Sequence, residues 1–79
     1  MDLETKVREI ICDVLSCQVE DLSDDAFLSD DLGMTPDDLE EFVAMAQEEY
    51  EIEIPDVDAE EWETVANVVS YIHDKLENA

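Results

Sequence analysis

A chain of 79 residues holds one modest core, because a fold of this size buries only about 60% of its unfolded surface, so residues 1–79 read as one domain with no room for a second. The 46% of apolar residues argue for a folded chain despite a formal charge of −22, which is far outside the ordinary range. That charge excludes nucleic acid and anionic membranes as partners, and no apolar run approaches the roughly 20 residues a membrane span requires.

The opening MDLETKVREI carries charges where a signal peptide would have its apolar stretch, so a cytoplasmic chain is expected. Asp2 can cap a first helix whose apolar positions Leu3, Val7, Ile10, Ile11, Val14 and Leu15 form one stripe at helical spacing. Cys12 lies inside this helix and Cys17 just after it. Two cysteines five residues apart, without His or Cys companions at metal-ligand spacing, read as free packing thiols and not as a disulfide framework or a zinc site.

From Ser16 to Met34 the helical period is lost, Ser and Asp gather, and apolar anchors remain at Val19, Leu22, Phe27, Leu28 and Leu32. This is a long loop pinned to the core. Asp24, Asp25, Asp30 and Asp31 invite a calcium reading. The only glycine, Gly33, would set such a loop to begin at Leu28 and end at Leu39, and neither can ligate calcium.

The second helix has the clearest start: Thr35 as N-cap, Pro36 at the first helical position, and Asp37 and Asp38 in the first turn, where the helix dipole favours carboxylates. Its predicted buried stripe is Leu39, Phe42, Val43, Ala46 and Tyr50, with Glu40, Glu41, Glu48 and Glu49 facing water. After Ile52, Ile54 and Pro55, Asp56 can cap a short turn running through Asp58, Ala59 and Glu60 toward Trp62. Thr64 caps a last helix with the stripe Val65, Val68, Val69, Ile72 and Leu76. The whole reads as an all-α, small four-helix bundle: three main helices, one short one, a long first loop and no strand. His73, the only histidine, has no partner nucleophile, so no catalytic site and no enzyme is expected.

Taken together, Phe27-Leu28-Ser29-Asp30-Asp31-Leu32-Gly33, a helix ending Glu48-Glu49-Tyr50, then Glu53-Ile54-Pro55-Asp56, Thr64-Val65 and Tyr71-Ile72 resemble the acyl carrier proteins nearly end to end. The resemblance implies a bundle whose second helix begins with an Asp-Ser-Leu triplet bearing phosphopantetheine on its serine. Here the triplet falls on Thr35-Pro36-Asp37 in the gapless register, or on Asp37-Asp38-Leu39 in a register shifted by two. Neither contains a serine. Proline has no side-chain nucleophile, and an aspartate such as Asp38 would give a labile acyl phosphate. Thr35 and Ser29 are the nearest hydroxyls, and Thr35 is expected to be occupied as the cap. No cofactor is therefore expected, although the family carries phosphopantetheine.

The resemblance also implies that apolar residues beside the serine touch partner enzymes, and Asp37, Glu40 and Ala44 stand at those positions. Only Lys6, Arg8 and Lys75 are basic and none lies between Glu20 and Glu63, so the middle of the chain presents a nearly pure carboxylate face. Asp31, Asp37, Asp38, Glu40, Glu41, Ala44, Glu48, Asp56 and Glu60 form the expected docking set for a basic patch on a protein. Divalent cations should bind this face weakly and diffusely. Three uses follow: a monomeric docking or regulatory module of fatty-acid or polyketide type biosynthesis that carries nothing, a true carrier loaded at Thr35 or Ser29, or an acidic decoy mimicking nucleic acid. The first alone accounts for both the kept fold and the missing serine.

Overall fold

Asp2 caps the first helix in a computed structural model that describes residues 2–78: its Oδ1 accepts from Thr5 N at 2.8 Å. Hydrogen bonding from the Thr5 side chain first, and then from its backbone amide, holds the Asp2 carboxyl below the usual range. Helix α1 (Leu3–Leu15) ends at Ser16, which takes the left-handed conformation (φ 57°). Helix α2 (Pro36–Tyr50) follows the long loop, α3 (Asp56–Ala59) is a single turn, and α4 (Val65–Glu77) closes the chain. Helix α1 packs against both α2 and α4, and α3 packs on α2. Val7, Ile10, Ile11, Phe42, Val43, Ala46, Val65, Val68 and Ile72 fill the centre, as their spacing predicts.

The loop is more structured than its composition suggests. A 3₁₀ turn forms at Val19–Asp21, and Leu22, Ala26, Leu28 and Met34 are buried. Phe27, expected to be an anchor, is 45% exposed. Side chains alternate along extended backbone, so with Ala26 and Leu28 turned inward Phe27 must turn out. Its backbone forms an isolated antiparallel bridge with Thr64, flanked by Leu28 N donating to Glu63 O (2.8 Å) and Val65 N donating to Ala26 O (3.1 Å). The bridge ties the loop to the start of α4, and among the described residues there is no strand beyond it.

Two further details differ from expectation. Asp56 does not cap α3; Pro55 is the N-cap and Asp56 the first helical residue. The proline ring fixes φ at a value common to extended and helical backbone, so the helix enters directly after it without a carboxylate cap. Leu76, placed on the α4 stripe by spacing, is 38% exposed because it sits in the helix's last turn, beyond the buried part of its stripe.

Candidate functional site

The start of α2 is built from Thr35, Pro36, Asp37 and Asp38. Thr35 Oγ1 accepts from Asp38 N at 3.2 Å, and Asp38 Oδ2 accepts from Thr35 N at 3.1 Å, a reciprocal capping box that satisfies two otherwise unpaired donors. Pro36 follows at the first helical position, where no amide donor is missed. Gly33, at φ 68°, turns the chain into this start with open space around it.

Beside Pro36 a groove of about 270 Å³ opens between α2 and α3, walled by Pro36, Leu39, Glu40 and Val43 on one side and Asp56, Ala59 and Glu60 on the other. A second recess of about 350 Å³ shares Leu39, Ala59 and Glu60 and is bordered by Phe27, Ser29, Asp30 and Trp62. Trp62 packs edge-on to Phe42 and Tyr71, with ring centroids 5.9 and 5.3 Å away. The structure thus gathers Pro36, Glu40, Asp56 and Glu60 around one groove and puts Ser29 on the neighbouring recess.

The rest of the docking set divides. Asp37, Glu41, Ala44 and Glu48 are exposed along one side of α2, and no hydrogen bond or ion pair engages them among the described residues. Asp38 is half-buried in the capping box, and Asp31 Oδ2 accepts from Phe27 N at 2.8 Å, so these two acids serve the fold first. The few cations are used elsewhere. Lys6 Nζ lies 3.8 Å from Glu49, Arg8 pairs with Glu4 (2.6 Å) and with Asp24, and Lys75 Nζ sits 5.6 Å above the Tyr71 ring. The face formed by Asp37, Glu40, Glu41, Glu48, Asp56 and Glu60 therefore keeps its negative potential unrelieved. One residue was not legible as part of this region: Val57, 67% exposed on α3, is an apolar side chain between two aspartates. Its only signal in the sequence is that it stands next to Asp56.

A short helical bundle with a capped helix start beside an acidic face is the architecture of a small carrier protein. The phosphopantetheine attachment site family matches residues 5–72. Acyl carrier proteins from two Type A strains of Clostridium perfringens, SM101 and 13, are 42% identical to the chain over 72 residues, covering 91% of this chain and 95% of each relative. The chain belongs to the acyl carrier protein family, whose members are carriers and not enzymes.

Phosphopantetheine is the cofactor of this family, and the residues at the helix start do not fit it. Pro36 offers no hydroxyl, the Thr35 oxygen is held against the Asp38 amide, and the Asp38 carboxylate is held against the Thr35 amide. Ser29 is exposed, but it lies in a turn outside any helix, next to Asp30 and Asp31, where a phosphodiester would meet like charge instead of a helix N-terminus.

Proposed function

We propose that the chain is a carrier-like docking module that bears no phosphopantetheine and binds a basic patch on a biosynthetic enzyme of fatty-acid or polyketide type, or on a regulator of one. What supports this reading is the pairing of Pro36, where the gapless resemblance puts the attachment serine, with a cation-free acidic face on α2 and α3. A chain that had simply lost its carrier role would be under no demand to keep that face. Charge complementarity would bring the partner in quickly and fix its orientation. Glu40 on the groove wall and Asp37 exposed beside Pro36 would disfavour the apolar contacts that conventional carriers offer.

Competition tests this directly. Unmodified chain added in excess to a carrier-dependent enzyme turning over a conventional acyl carrier protein should slow it, and moderate salt should relieve the inhibition. Absence of inhibition across a panel of such enzymes would contradict the docking role. Displacement of a protein from nucleic acid would instead support the decoy reading.

A further inference from the structure

Cys12 and Cys17 are free thiols packed on the core, as expected, and they also touch one another. Ser16 turns left-handed at the end of α1, Cys17 N donates back to Cys12 O at 3.3 Å, and the reversal brings the two sulfurs to 3.2 Å. Cys12 is buried at 8% exposure and Cys17 is half-buried beside it. A hollow of about 330 Å³ lined by Lys6, Glu9, Cys12, Asp13 and Val19 opens beside Cys12. We propose that Cys12 and Cys17 form a reversible dithiol–disulfide site, oxidised by small uncharged hydroperoxides.

The left-handed turn at Ser16 already brings the two residues back toward each other, and the sulfurs, 3.2 Å apart, have only to close to the roughly 2.05 Å of a disulfide. Cys17, the more accessible, attacks first: its thiolate sulfur takes one oxygen of the hydroperoxide, the O–O bond breaks, and the alkoxide leaves as an alcohol after taking up a proton. Cys12 Sγ then attacks the resulting sulfenic sulfur, and the hydroxyl departs as water with the Cys12 proton. Two thiols lose two hydrogens and two electrons, and the hydroperoxide is reduced to alcohol and water.

Charge selects the oxidant. Burial, the neighbouring thiol and the Asp13 and Asp21 carboxylates push the Cys12 thiol up to about 12. The same negative surroundings, on a molecule of net charge −22, repel an anionic disulfide such as glutathione disulfide while leaving hydrogen peroxide unaffected.

Reduced full-length chain is treated with hydrogen peroxide or with glutathione disulfide, then alkylated and read by intact mass with fragmentation to separate thiol from methionine oxidation. With peroxide, the expected product is a monomer lighter by two hydrogens at Cys12 and Cys17, taking up no alkyl label, and dithiothreitol restores both labels. Glutathione disulfide should give the same product more slowly, at a rate that rises with salt. Cys17→Ser, which keeps the buried thiol and so the packing, should lose the product entirely; Cys12→Ala should do the same. Oxygen added to one cysteine while the other stays free, or a linked dimer as the main product, would overturn the site. A glutathione disulfide rate indifferent to salt would overturn the selectivity.

Discussion

At the scale of single residues, Pro36 leaves the helix start sound. Proline is pre-organised for the first helical position, and the capping box spans it from Thr35 to Asp38. The fold therefore loses nothing by having a residue without a nucleophile at this position. Pro36→Ser restores the hydroxyl but leaves Asp37 and Glu40 where a phosphopantetheinyl transferase would make apolar contact. Burying an unpaired carboxylate there costs several kcal/mol. Loading of P36S alone should accordingly be slow, and P36S combined with Asp37→Leu and Glu40→Val should load more than about tenfold faster, as measured by intact mass over time. Equal rates for the two variants would make the flanking charges incidental. Tyr71 makes a different kind of contribution: its hydroxyl donates to Asp58 Oδ2 at 2.7 Å and joins α3 to α4. Tyr71→Phe should cost about 1–2 kcal/mol in urea denaturation. Burial first, and then the bond to Asp58, raise the Tyr71 hydroxyl to about 12 from 10.0. Because the folded value lies above the unfolded one, the contribution is full below pH 10 and is lost as pH rises toward 12, so the Phe variant should show a shallower fall over that window.

At the scale of elements, the three long helices were legible because their signals are local. Asp2, Thr35 and Thr64 each cap the helix they precede, and Val7, Phe42 and Ile72 lie on apolar stripes that need no knowledge of the partner helix. The acidic face of α2 was legible for the same reason, being one side of an amphipathic pattern. The second role of Asp38 was not legible, because its charge is visible in the sequence while its bond to Thr35 N is a matter of geometry. This distinction is testable. Replacing Asp37, Glu41 and Glu48 together by their amides should reduce the association rate with a partner several-fold without lowering stability, since it also relieves repulsion on that face. Asp38→Asn should instead act mainly on stability, through its weakened cap. A partner rate indifferent to the triple amide variant, measured by stopped flow, would mean that another face docks.

At the scale of the whole molecule, several contacts that tie the elements to the loops depend on the folded path of the chain and leave no local trace. Arg8 reaches Asp24 across the loop, Gln47 Oε1 accepts from Ile54 N at 2.7 Å to set the path into α3, and the two thiols meet around the α1 cap. Phe27 misled for the opposite reason, since its size promised burial that backbone alternation denies. Global charge was legible from composition alone, and it has a thermodynamic consequence. With three basic residues against 25 acidic ones, repulsion is not relieved within the chain. Moderate salt or millimolar magnesium should raise the melting temperature, by about 4–8 °C for each kcal/mol of repulsion removed. A melting temperature unaffected by either would mean the carboxylates are too well spaced to matter. The central claim, a carrier fold whose attachment point is gone while its docking face remains, is tested most directly by the intact mass of the native chain after incubation with coenzyme A and a phosphopantetheinyl transferase active on a conventional carrier in the same tube. The conventional carrier should gain the cofactor while this chain keeps its unmodified mass; a phosphopantetheine adduct on Thr35, Ser29 or any other residue would make the chain a carrier after all.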